Sequence, residues 1–65
     1  MGHEEREWLK EKRLNQGLTQ VQVSKQAGIS QSAYANIESG RCGVSIESAK
    51  RIAATLGFSW TQFYE

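Results

Sequence analysis

Two amides and two serine hydroxyls stand at helical spacing in the stretch Gln31-Ser32-Ala33-Tyr34-Ala35-Asn36-Ile37-Glu38-Ser39. The chemistry open to Gln31, Asn36, Ser32 and Ser39 is hydrogen bonding rather than covalent change, since amides and hydroxyls both donate and accept. Placed at 100° intervals, Ala33, Tyr34 and Ile37 make a narrow apolar side. Ser32, Ala35, Asn36 and Ser39 fall on the other side, with Gln31 at the exposed first turn, and none of them is charged. A plain solvated helix face carries Lys or Glu for solubility and i,i+4 pairing. A neutral face of short hydrogen-bonding groups suits close approach to another polar surface. Catalysis has no comparable set of residues. His3, the only histidine, lies in an opening tripeptide that reads as an appendage to the domain, and Cys42, the only cysteine, has no base beside it. No carboxylate pair is set for acid–base work, and ligands for a metal are lacking. The expectation is no enzyme, no metal and no cofactor.

The elements that must hold this face are short, because 65 residues make one domain (residues 1–65) that buries only about 60% of its unfolded surface. Proline is absent, so glycine punctuates the chain at Gly17, Gly28, Gly40, Gly43 and Gly57. Thr19 with Gln22 reads as a capping box and Leu18 with Val23 as a hydrophobic staple; Ser59 with Gln62 and Phe58 with Phe63 repeat the pattern. Ser30 and Ser45 are further caps, and Ile29 with Tyr34 has staple spacing. The reading is an all-α, compact five-helix domain: about Glu4 to Gln16, Gln20 to Ala27, Gln31 to Ser39, Ile46 to Leu56, and a short Trp60 to Tyr64. In the fourth helix Ile46, Ala49, Ile52, Ala53 and Leu56 share one side, opposite Glu47, Lys50, Arg51 and Ala54. The second and third helices are joined only by Gly28-Ile29-Ser30, and two short helices with a three-residue glycine turn are a helix-turn-helix.

Arg13 falls between Leu9 and Leu14 on the inward side of the first helix, and Glu38 borders Tyr34 and Ile37 on the third. A half-buried charge needs a partner, which an Arg13–Glu38 ion pair would supply. The alternative is that both side chains snorkel to water. The formal charge is +1, from eight Lys and Arg against seven Glu. It is unevenly spread: residues 1–11 carry −2, residues 12–58 carry +4, and Glu65 adds −1. The run Glu4-Glu5-Arg6-Glu7 reads as a solvated helix start favoured by the helix dipole. One cysteine excludes an internal disulfide and points to a reducing compartment, and no apolar run approaches the roughly 18 residues of a membrane span.

Leu18-Thr19-Gln20, Val23-Ser24, Ala27-Gly28-Ile29-Ser30 and Ile37-Glu38-Ser39-Gly40 resemble the lambda-repressor-like (Cro/C1, XRE-type) helix-turn-helix DNA-binding domains, from about Leu9 to Phe63. Gln31-Ser32 also looks like the opening of the recognition helix in the phage repressor that gives the family its name. In related phage repressors an Arg and a Glu at the places of Arg13 and Glu38 form a buried salt bridge. Two positions depart from the pattern: Val44 where a proline often precedes the fourth helix, and Ser24 where an alanine is common.

The resemblance implies sequence-specific binding of double-stranded DNA by a transcriptional regulator, most simply a repressor, encoded by a bacterium or phage and cytoplasmic at the nucleoid. The third helix would enter the major groove. There Gln31 and Asn36 can bond adenine, Ser32 several bases, and Ala35 a thymine methyl. Gln20, Lys25, Ser39 and Arg41 are the candidates for phosphate. A homodimer on two half-sites is expected, with Tyr64, Trp60 and Phe63 the candidate contact and the small core their other possible destination. An antirepressor or toxin protein is a further candidate partner. The competing class is a helical module that docks a protein and leaves DNA untouched.

Overall fold

The computed structural model describes residues 5–65, and among these the chain is helical with no strand. Four α-helices, α1 (Glu7–Asn15), α2 (Gln20–Ala27), α3 (Gln31–Ser39) and α4 (Ile46–Leu56), precede a 3₁₀ segment at Trp60–Tyr64. The expected fifth α-helix is thus a 3₁₀ turn. Its capping box does not form: the Ser59 hydroxyl pairs with that of Thr61 at 2.8 Å and caps no backbone N–H. Five residues without that cap fall short of the nucleus an α-helix needs.

The other starts follow local chemistry. Thr19 Oγ1 accepts from Gln22 N at 3.1 Å while Gln22 Oε1 accepts from Thr19 N at 2.8 Å, a complete capping box. Ser30 Oγ accepts from Ala33 N, and Ser45 Oγ from Ser48 N, each at 3.1 Å. The first helix begins at Glu7 rather than Glu4, which lies outside the described residues, as does His3. Arg6 ahead of it has φ −87° and ψ 76°, and its backbone N–H donates to Glu38 O at 2.9 Å instead of joining a helix.

Leu9, Val23, Ala27, Tyr34, Ile37, Ile52 and Leu56 form the core, with Trp8, Leu18, Ile29, Val44, Phe58 and Phe63 packed around it. All three staple pairs therefore contribute to one apolar cluster. Two expected inward residues are outside: Leu14 is 54% exposed and Ile46 is 55% exposed. In α1 the buried stripe runs from Leu9 to Arg13, four residues on, and Leu14 is carried off it by another 100°. Ile46 is the first residue of α4, and the buried side of that helix is Ala49, Ile52, Ala53 and Leu56.

Candidate nucleic-acid interface

The α2–turn–α3 unit depends on a backbone reversal at Gly28, whose φ of +74° L side chains rarely adopt. A Cβ at that position would lie 2.8 Å from Arg51 Nη1, which donates to Ala27 O at 3.4 Å. Arg51 also pairs with Glu47 at 2.9 Å, so its guanidinium is held over the turn from α4. Ile29 then packs on the core and Ser30 caps α3.

Beyond this turn Gln31 and Ser32 are exposed, and Ala35, Asn36 and Ser39 are half-buried on the same uncharged helix. Ser39 Oγ donates to Asn36 O at 3.2 Å, keeping its lone pairs. Lys25 on α2 and Arg41 after α3 are exposed, and neither joins an ion pair among the described residues. Gln20 behaves differently from the expectation of an amide free for phosphate. Its Nε2 donates to Glu38 Oε1 at 3.0 Å, so one of its two N–H groups is directed inward. The capping box serves Thr19 and Gln22, which leaves the second amide N–H and the backbone N–H groups of Gln20 and Val21 at the α2 start.

A buried network supports this face from behind. Arg13 Nε and Nη2 meet Glu38 Oε2 and Oε1 at 2.9 and 3.1 Å, a bidentate pair whose side chains are 9% and 6% exposed. Arg13 Nη1 donates to Leu18 O at 2.9 Å, and Tyr34 donates its hydroxyl to Glu38 Oε2 at 2.7 Å. No buried side-chain nitrogen or oxygen is left unpaired among the described residues. Burial by itself would raise the Glu38 pKa, but donors from Arg13, Gln20 and Tyr34, together with the Arg13 charge, hold it below the ordinary value. The Glu38 hydrogen bond raises the Arg13 pKa in turn. Burial, then the Glu38 hydrogen bond, pushes the Tyr34 hydroxyl up.

Arg6 also departs from the solvated helix start expected of it. Instead of lying solvated beside Glu5 and Glu7, it is half-buried, and its Nη1 donates to Ile37 O and, at 3.4 Å, to Cys42 O. Its guanidinium carbon stands 5.7 Å from the Phe63 ring centre. The signal available in the sequence was that α3 has no basic residue in its last turn.

The three aromatic candidates for a dimer contact separate. Phe63 meets Trp8 edge-on and Phe58 at a tilt, at centroid distances of 5.1 and 5.7 Å, and packs against the core. Trp60 lies half-buried under Lys50 Nζ at 5.2 Å, and Tyr64 stays 53% exposed while its hydroxyl donates to Val44 O at 2.7 Å. Cys42 is a free, exposed thiol. Among the described residues no helix is long and apolar enough to cross a membrane.

A family described as helix-turn-helix matches residues 9–63. Over 60 residues the chain is 45% identical to YqaF of Bacillus subtilis (strain 168), named as an uncharacterized HTH-type transcriptional regulator; the match covers 92% of this chain and 79% of that protein. No solved structure matches the chain.

Proposed function

The chain belongs to the XRE-type helix-turn-helix family of DNA-binding transcription regulators, and from that membership we propose a sequence-specific repressor that binds a two-fold operator as a homodimer. Helix α3 lies in the major groove with its N-terminal half against the base edges. Gln31 bonds bidentately to adenine N6 and N7, Asn36 does the same one turn further on or reaches a phosphate, Ser32 bonds a neighbouring base, and Ala35 touches a thymine methyl. Lacking Arg and Lys, this face cannot make the commonest guanine contact, so half-sites with essential A·T pairs are expected. Lys25, Arg41, the Ser39 hydroxyl and the α2 start with Gln20 hold phosphates on either side.

The observation that carries this reading is the exposed, uncharged start of α3, mounted on the turn at Gly28 and supported from behind by the Arg13–Glu38 pair. Selection from randomised duplexes tests it, returning site, symmetry and spacing together. Two A·T-containing half-sites with centres about 10 base pairs apart support the proposal. A protein that enriches no duplex and gains no affinity for random DNA at low salt is the competing protein-docking module instead.

A further inference from the structure

We infer that Arg6 is a positioning residue for the DNA-backbone grip: from the start of α1 it fixes the C-terminal end of α3 and the Gly40–Gly43 segment that carries Arg41. The inference rests on the DNA-binding reading above and extends it to a residue outside the helix-turn-helix. Arg6 occupies the N-cap position of α1 and makes no side-chain cap there. Arginine has no acceptor to offer a helix start, and a cation beside the positive end of a helix dipole is unfavourable. The same guanidinium lies at the C-terminal end of α3, where the dipole favours a cation and where α3 supplies none of its own.

Three contacts define the arrangement. Arg6 N donates to Glu38 O at 2.9 Å, Nη1 donates to Ile37 O, and Nη1 reaches Cys42 O at 3.4 Å. Ile37 O also accepts from Gly40 N at 3.2 Å, and Arg41 N donates to Asn36 O at 3.0 Å. Arg41, Cys42 and Gly43 are all exposed. The hydrogen bonds found on them among the described residues are two: Arg41 N donates to Asn36 O, and Cys42 O accepts from Arg6 Nη1. Without Arg6 the segment would be anchored through Arg41 alone before Val44 packs on the core. The cation–π contact of the guanidinium with Phe63, 5.7 Å from the ring centre, favours that direction of the arginine side chain. A segment already held in place loses less conformational freedom when its amides and Arg41 meet a phosphate.

Arg6→Met keeps an unbranched side chain against Phe63 and removes every side-chain donor. In the folded variant, amide hydrogen exchange at Gly40 and Arg41 should quicken by roughly tenfold, while exchange in α4 stays as in the wild type. Affinity should fall roughly five- to tenfold for selected and random duplexes alike, with base preference unchanged. The slope of log K against log salt should stay as in the wild type, because Arg6 orders the segment and neutralises no phosphate itself. Arg6→Lys keeps the cation at the helix end, but its ammonium stops one bond short of where Nη1 meets both carbonyls, so it should stay folded and show the same faster exchange even if Arg6→Met unfolds. Unchanged exchange at Gly40 and Arg41 in either folded variant overturns the inference, as does unchanged DNA affinity, or a slope flattened by about one for each monomer, which would make Arg6 itself a phosphate contact. If the wild type binds no DNA, the proposed function fails, and exchange at Gly40 and Arg41 still decides what Arg6 does.

Discussion

Glu38 accepts from Arg13 through both carboxylate oxygens, from Tyr34 and from Gln20, so one side chain links α1, α2 and α3. Removing one member of such a pair leaves a buried charge without its partner, at about 3–5 kcal/mol. A chain of this size has a total stability on the order of 3–10 kcal/mol. Arg13→Met should therefore lose most of its resistance to urea, read as a shift in the unfolding midpoint. The Glu38 carboxyl is held below its ordinary value of 4.5. A depressed carboxyl adds stability in full above its unfolded-state pKa, and that stability is lost as pH falls through the folded-state pKa. Thermal midpoints should accordingly drop below about pH 4.5 in the wild type. Glu38→Gln, less stable at neutral pH, should show a smaller drop over the same range. Gln31 makes no such internal contact among the described hydrogen bonds, so Gln31→Ala should leave the unfolding midpoint in place and alter binding alone.

The turn between α2 and α3 is specified at Gly28. Gly28→Ala forces an L residue to φ near +74°, at a cost of about 1–2 kcal/mol, and the displaced Arg51 end can swing toward solvent. A lowered melting temperature with near-native helical circular dichroism is the expected result. This unit was legible in the sequence because each of its signals is local: Thr19 and Gln22, Ser30 and Ala33, and Gly28 act within four residues of one another. The Arg13–Glu38 pair could be suggested from pattern because both charges interrupt apolar stripes. What the sequence did not reveal depends on distant partners. Arg6 finds its acceptors 31 and 36 residues away, and nothing beside it in the chain announces them. Gln20 turns inward because Glu38 is there to receive it. Leu14 and Ile46 match helical periodicity, yet each lies where no neighbouring element covers it. Phe63 goes to the core since Trp8 arrives from α1 to meet it.

At the scale of the molecule the domain measures 31 × 21 × 20 Å. Two major-groove faces one helical turn apart are separated by about 34 Å, so a single copy reads one half-site and the proposed operator needs two. With Phe63 packed against the core, exposed Tyr64 and its ring neighbour, half-buried Trp60, remain for that pairing. Tyr64→Ala should reduce cooperative binding to a two-fold site while leaving affinity for an isolated half-site unchanged, as read in a titration of both duplexes. The net charge of +1 does not oppose DNA binding, because the helix-turn-helix portion is basic and the acids gather near the start of α1. The most direct test is a duplex titration from about 50 to about 200 mM salt, with wild type and Gln31→Ala in parallel. About three phosphate contacts per monomer give a dimer a log–log slope near −5, and Gln31→Ala should keep that slope while losing roughly 1–3 kcal/mol of preference at one base pair. A flat salt dependence, or an unchanged base preference in Gln31→Ala, would contradict the placement of α3 in the groove.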